Sequence, residues 1–339
     1  MSDAFGDAEA EIPASGRDSS SAKTTLSWPA PPPSQLFVAR SCTGHRYEHD
    51  AKNGATEIRA VISDLDGTLL HPNKRVTRRV LQAVRRARAK GVLFIPASGR
   101  SSSGMFSAMG ELGEDLRRDG SPFVSMNGLT VFGQGAAGQR GNLIYSATLP
   151  SRLAMRVVEF WKTHPLAAAA GVSLCGSDGE VVVVEALDER TRMYENCKEP
   201  RPKEVSCFES AIAGGMELNR LYFWGASRES VDAFRNDLEE HLRGYPAAIT
   251  RGLPEMIEIL PPGTSKAVGI EALLTTLDIP PEQVMALGDE ENDVEMLRAV
   301  GHGVAMGQSA IGVRKAARFT APTNALDGVA VALETFCDI

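Results

Sequence analysis

The run IRAVISDLDGTLL, residues 58–70, decides how the rest of the chain is read. Ile58 to Ser63 is a short apolar, β-branched stretch of strand length. It breaks at the acidic loop Asp64-Leu65-Asp66-Gly67-Thr68. Downstream, Val76 to Lys90 places Val76, Val80, Ala83, Val84 and Ala87 on one helical face and stops at Gly91. Val92 to Ala97 is a second continuous apolar run, ending at Ser98-Gly99-Arg100. Strand, helix and strand at this spacing predict a βαβ unit whose parallel strands are buried on both faces. Ser121 to Phe132 predicts a third strand with an Asn127-Gly128 turn.

The middle of the chain has another rhythm. Ser151 to His164 predicts an amphipathic helix, and Val172 to Ala186 predicts two strands around the turn Ser177-Asp178-Gly179. Leu221–Trp224 reads as a strand and Arg228–Leu242 as a helix, a mixture that does not continue a parallel sheet. The alternation of strand and helix returns near Met256. Strands are expected at Ile257–Leu260, Val284–Leu287 and Gly303–Met306, and helices at Ser265–Leu277 and Val294–Ala299. The fold class is therefore α/β: a Rossmann-like doubly wound parallel sheet, residues 56–144 and 250–339, split by an inserted α+β domain at 145–249. Residues 1–55 are rich in Ser, Ala, Pro and charge and include Pro31-Pro32-Pro33. Such a segment cannot bury enough apolar area to offset its ordering entropy, so disorder is expected.

Composition narrows the function classes. The chain has 339 residues, enough for about two domains. Its 36 basic and 43 acidic residues give a net charge of −7, which offers no bulk attraction to nucleic acid or anionic lipid. The most basic run, Arg75 to Lys90, is interrupted by apolar residues at helical spacing and reads as a solvated helix face. The five scattered cysteines form no CxxC pair, which favours a reducing compartment. No apolar run approaches membrane-span length, the first residues lack a signal-peptide pattern, and early acids argue against a mitochondrial leader. A soluble, cytoplasmic protein with no nucleic-acid or membrane partner is expected. A protein partner for the N-terminal tail is not identified by the sequence.

Four loops at the ends of expected strands carry chemistry. In open α/β sheets, ligands bind at the carboxyl ends of the strands, where strand order reverses. Asp64 and Asp66, two residues apart in one loop, suit a hard cation such as Mg²⁺ shared with a substrate phosphate, although an acidic Asp-Gly turn has the same letters. Crowding two carboxylates raises the pKa of one unless a cation compensates. Ser98 and the backbone N–H groups near Gly99 could hold phosphoryl oxygens. Lys266 opens a helix, where the dipole disfavours a cation, so its position points to an anion shared with the helix end. Gly288-Asp289-Glu290-Glu291-Asn292-Asp293 gathers acids and an amide at another strand end. Each signal alone is also compatible with a turn, a surface lysine or an acidic cap; their joint placement at strand ends is the informative feature.

At this point DLDGT (64–68), SGR (98–100), Lys266 in PPGTSK (261–266) and GDEEND (288–293) resemble motifs one to four of the haloacid dehalogenase superfamily. Ser98 follows Asp64 by only 34 positions, and the large insert follows motif two. This resembles the Cof-like group with a type IIB cap, and VAMGQS (304–309) and NALDGV (324–329) agree. The resemblance covers residue 57 to the end. Motif two has Ser98 where Thr is commoner, and Glu290 adds an acid beside Asp289.

The resemblance implies a Mg²⁺-dependent phosphatase acting on sugar phosphates or other small-metabolite phosphate esters. Asp64 would be the nucleophile and Asp66 the acid and base. Ser98, Lys266 and Asn292 would hold phosphate oxygens, with Gly99 beside them. The metal would be held by Asp64, the Asp66 carbonyl and Asp289, with Asp293 ordering the surroundings. Asn127 and Gly128, near the cap junction, would meet the substrate. The insert would be a lid. In it, Arg190, Arg192 and Lys198 read as solvated surface, Trp161 and Trp224 as core, and His164, His241 and His302 lack ligand spacing. Two alternatives stay open: a phosphosugar mutase of the same fold, and a phosphosugar-sensing regulator without turnover.

Overall fold

The computed structural model describes residues 57–339 except 169, 170, 178, 197 and 254. The expected disordered tail and Asp178 of the expected turn lie outside the described residues. In chain order the strands are β1 (Ala60–Ser63), β2 (Leu93–Pro96), β3 (Phe123–Ser125), β4 (Thr130–Phe132), β5 (Leu143–Ser146), β6 (Val172–Ser177) and β7 (Val182–Val184). They continue as β8 (Lys203–Glu204), β9 (Arg220–Gly225), β10 (Ala248–Leu253), β11 (Met256–Leu260), β12 (Val284–Gly288), β13 (His302–Ala305) and β14 (Phe319–Thr320).

Five strands form one fully parallel sheet in the order β14-β13-β12-β1-β2. From β1 the chain first winds outward to β2 and later returns to β12 and on to β14. The order therefore reverses between β1 and β12, and a crevice opens at their carboxyl ends. Helices Arg78–Ala89, Ser102–Met109, Glu111–Arg118 and Gly328–Phe336 contribute to the apolar layer on one face. Lys266–Leu277 and Val294–Ala299 contribute to the other. The strands read as unbroken apolar runs because both faces are covered. Thr77 caps the first helix, its hydroxyl accepting from Val80 N, so the helix begins at Arg78, two residues later than the apolar spacing alone suggests.

The third expected strand is present but joins the parallel sheet through the single bridge Ala97–Val124. It turns back instead as the antiparallel set β3-β4-β5. The loop between β3 and β4 has positive φ at Met126, Asn127 and Gly128.

The inserted layer is a six-stranded sheet, β10-β11-β9-β6-β7-β8, antiparallel except for its last pair. Helices Ser151–Thr163, Phe208–Ala213 and Arg228–His241 pack on it through Leu153, Val157, Phe208, Phe234 and Leu238. Here the structure corrects an expectation. Met256–Leu260 is not a strand of the parallel core; it pairs with β9 and β10 in the cap sheet. The boundaries expected at 144/145 and 249/250 therefore do not match sheet membership: β5 stays with the core strands, and the chain leaves the cap sheet after Leu260. The physical reason is that a short apolar run has the same appearance in a buried parallel strand and in the middle of an antiparallel sheet.

Candidate active site

Asp64 follows β1 and Asp289 follows β12, so the two carboxylates flank the crevice where strand order reverses. Asp64 N donates to Leu287 O at 2.9 Å, which fixes the loop against its neighbouring strand. Gly67 has φ +84°, and a Cβ there would overlap the Asp289 carboxylate. Glycine is required at this turn for both reasons. Thr68 Oγ1 then donates to Asp289 Oδ1 at 2.7 Å, tying the first acidic loop to the last.

Lys266 is the hub. It is 1% exposed, and its Nζ lies 2.8 Å from Asp64 Oδ1 and 2.6 Å from Asp293 Oδ1. The second oxygen of Asp293 accepts from the backbone N–H of Asp289 at 2.8 Å and of Glu290 at 3.1 Å. The helix carrying Lys266 is capped by Ser265, whose Oγ accepts from Val268 N. Gly128, with φ +91°, lets the β3–β4 loop approach the Ser265 carbonyl; a Cβ would overlap it. The electrostatic awkwardness of a lysine in a helix's first turn is thus offset by two carboxylates rather than by solvent.

Three carboxylates, from Asp64, Asp289 and Asp293, bring oxygens within 4.8 Å of one another around this single ammonium. Burial pushes the Asp64 carboxyl well up, with Asp293 and Asp289 adding to the effect and Lys266 opposing it. Asp289 is pushed up to about 7, first by burial and then by Asp293 and Glu290, against the Thr68 hydrogen bond and the Lys266 charge. Burial pulls the Lys266 ammonium down, but the Asp293 and Asp64 carboxylates outweigh it and hold the pKa above the ordinary lysine value. Clustered, partly uncompensated carboxylate oxygens are the hard donors that fit a small divalent cation.

Asp66 behaves differently from the expected crowding. Its carboxylate turns away from Asp64 to a two-point contact with Arg100, Nε to Oδ2 at 2.6 Å and Nη2 to Oδ1 at 2.9 Å, with Lys74 Nζ at 3.3 Å. Burial pushes it up, but Arg100 and then Lys74 hold it below the ordinary aspartate value. The raised member of the pair is Asp64, and its carboxylate neighbours are Asp293 and Asp289.

The remaining expected residues form a second group beside the first. Ser98 is buried, and its Oγ accepts from Arg100 N while its carbonyl accepts from Asn127 N at 2.9 Å. Gly99 packs against the Asn127 amide, where a Cβ would sit 3.1 Å from the side chain. Asn292 Nδ2 donates to Asn127 Oδ1 at 3.0 Å, and Asn127 Nδ2 donates to Glu258 Oε2 at 3.0 Å. Glu258 is paired with Arg220 at 2.9 Å, and Arg220 Nη1 also donates to the Gly99 carbonyl at 2.8 Å. Arg190 contacts Ser173 and Asp188, and Arg192 and Lys198 are exposed.

Thr68, Arg100, Arg220 and Glu258 are the residues that sequence reasoning leaves without a role. A charged residue inside the apolar strand Met256-Ile257-Glu258-Ile259-Leu260 is the signal that could have found Glu258.

The sequence profile of the haloacid dehalogenase-like hydrolases matches residues 61–333, spanning both ends of this site. The chain belongs to that family. A similar protein is the chloroplastic endoribonuclease YBEY of Arabidopsis thaliana, 29% identical over 278 residues. That match takes in 80% of this chain and 45% of the relative, so this chain spans about half of that longer protein. The 5-amino-6-(5-phospho-D-ribitylamino)uracil phosphatase YitU of Bacillus subtilis is 28% identical over 280 residues, 80% of this chain and 95% of that one. A crystal structure of a haloacid dehalogenase-like hydrolase from Bacteroides thetaiotaomicron superposes with a TM-score of 0.70 at 27% identity, covering 82% of this chain and 99% of its own. Membership of the family agrees with the doubly wound core and with the inserted cap. Among the described residues, no helix is long and apolar enough to cross a membrane.

Proposed function

We propose that the chain is a Mg²⁺-dependent phosphatase that hydrolyses phosphate monoesters of small metabolites, sugar phosphates foremost, through an aspartyl-phosphate on Asp64. The observation that carries this reading is the buried Lys266 ammonium bridging Asp64 and Asp293 with Asp289 alongside, at the point where strand order reverses. The Bacillus relative, named as a phosphatase of a phosphorylated ribityl compound, supports it. So does a net charge of −7, which favours a small substrate over a polyanion.

Asp64, Asp289 and Asp293 would hold the cation, with the Asp66 carbonyl beside them; when bound, it offsets repulsion between these carboxylates and a phosphate dianion. Lys266 keeps Asp64 oriented and helps keep it ionised. A carboxylate oxygen of Asp64 attacks phosphorus as the bond from phosphorus to the ester oxygen breaks, and Asp66, after exchanging one of its two Arg100 contacts for a proton from solvent, passes that proton to the departing oxygen. Arg100 and Lys74 stabilise the carboxylate left on Asp66. Water then attacks the phosphorus, its proton passes to Asp66, and Asp64 is released with inorganic phosphate. Ser98, Gly99 and Asn292 would hold the transferring group, and Asn127 and Gly128 would meet the rest of the substrate.

The test is phosphate release from an aryl phosphate and a panel of sugar phosphates, with and without Mg²⁺. Release that requires the metal and is lost in Asp64→Asn is the expected result. Isomerisation of a sugar phosphate without release would establish the mutase instead. Wild-type turnover by Asp64→Asn would overturn the mechanism.

A further inference from the structure

Between the helix ending at Asn196 and β8, the cap sends one carboxylate into the core. The Glu199 side chain is 5% exposed and accepts from Ser101 Oγ through Oε2 at 2.6 Å. Its other oxygen, Oε1, is buried with no hydrogen-bond partner among the described residues and lies 3.8 Å from Arg100 Nη1. The slot that receives it exists because residue 104 is glycine: a Cβ on Gly104 would overlap the carboxylate. Its neighbour in space, Ser102 Oγ, donates to Glu180 Oε2 at 2.6 Å, so the same helical turn anchors a second cap carboxylate. Arg100 therefore lies between two acids, gripping Asp66 of the core at two points while facing Glu199 of the cap.

We propose that Glu199 is a positioning residue: docked in the Gly104 slot, it sets the Arg100 guanidinium and, through it, the orientation of Asp66. A guanidinium is planar and rigid, so fixing its far edge fixes the carboxylate held by its near edge. Asp66 is then properly aimed at the departing oxygen only when the cap is seated, and protonation of the leaving group is coupled to enclosure of the substrate. The inference rests on the phosphatase reading above and adds to it a cap residue that acts on proton delivery without touching the phosphate.

The experiment uses the full chain, with kcat and KM measured separately on p-nitrophenyl phosphate, whose leaving group needs no proton, and on alkyl phosphates, whose leaving group does. Glu199→Gln keeps the shape and the Ser101 contact while removing the charge. Gly104→Ala evicts the carboxylate from outside the acid–base pair, and alanine favours the helix it sits in. Both variants are expected to lower kcat/KM on alkyl phosphates about tenfold, part of what general acid catalysis supplies, while kcat/KM on p-nitrophenyl phosphate, set by formation of the aspartyl-phosphate before Asp66 acts as base, stays within about twofold. Equal losses of kcat/KM on both substrates would mark a structural role and overturn the proposal, as would no loss on either. A rise in KM alone would make Glu199 a substrate contact and overturn it too. A wild-type protein that releases phosphate from neither ester fails at the phosphatase reading itself, a distinct result.

Discussion

Asp289 is the residue at which site chemistry and folding stability meet. Its carboxyl ordinarily titrates near 3.8 and in the folded protein near 7. Between those values the unfolded chain releases a proton that the folded chain retains, so rising pH favours unfolding. Below the window the group is protonated in both states; above it the cost is constant. Metal-free protein should therefore melt at progressively lower temperature from about pH 4 to pH 7, and added Mg²⁺ should recover most stability at the upper end. Calorimetry on chelator-treated wild type and on Asp289→Asn checks this. The difference in Tm between the two should widen with pH across the window, and a difference independent of pH would contradict it.

At the level of elements, the crevice depends on loops that approach one another more closely than side chains permit. Gly67→Ala would force a Cβ into the Asp289 carboxylate at a position with φ +84°. The backbone term alone costs about 1–2 kcal/mol. We expect a loss of that size in denaturant unfolding together with a rise in the Mg²⁺ concentration needed for half-maximal phosphate release; an unchanged metal requirement would show that Asp289 is not placed by this turn. The elements also show what a sequence can and cannot convey. β1, β2 and β12 are legible because strands covered on both faces are continuous apolar runs, and their ends expose Asp64, Ser98 and Asp289. Lys266 is legible as an electrostatic misfit at a helix start, though its partners are not. The helices Ser102–Met109 and Glu111–Arg118 escape because small residues and a Gly110 break blur the helical contrast. Asp66's partner escapes because Arg100 stands in the quoted SGR motif with nothing local to say which acid it meets.

For the whole molecule, the joint between cap and core is polar at one side and apolar at the other. Arg220 and Glu258, each with a side chain 3% exposed, form an ion pair within the cap sheet that reaches the core through Gly99 and Asn127. Removing one charge from a buried pair costs about 3 kcal/mol or more, because the other keeps its desolvation penalty. Glu258→Gln is expected to lower unfolding free energy by about that much, measured by urea denaturation, with a loss under about 1 kcal/mol showing that solvent already reaches the pair. On the apolar side, Met126, Leu129 and Leu260 cluster with Ala147 and Ala248, so the outgoing and returning strands of chain cross at one small patch. This makes the cap exchangeable in principle, with splice points at the outgoing crossing near Ala147 and the returning one after Leu260. The two crossings are unequal, however. The outgoing one follows β5, whereas the returning one runs only from Pro261 to Ser265 before Lys266 begins its helix. A transplanted cap would need to match that five-residue tether, and lineages that traded caps would be constrained more tightly at the second junction than at the first.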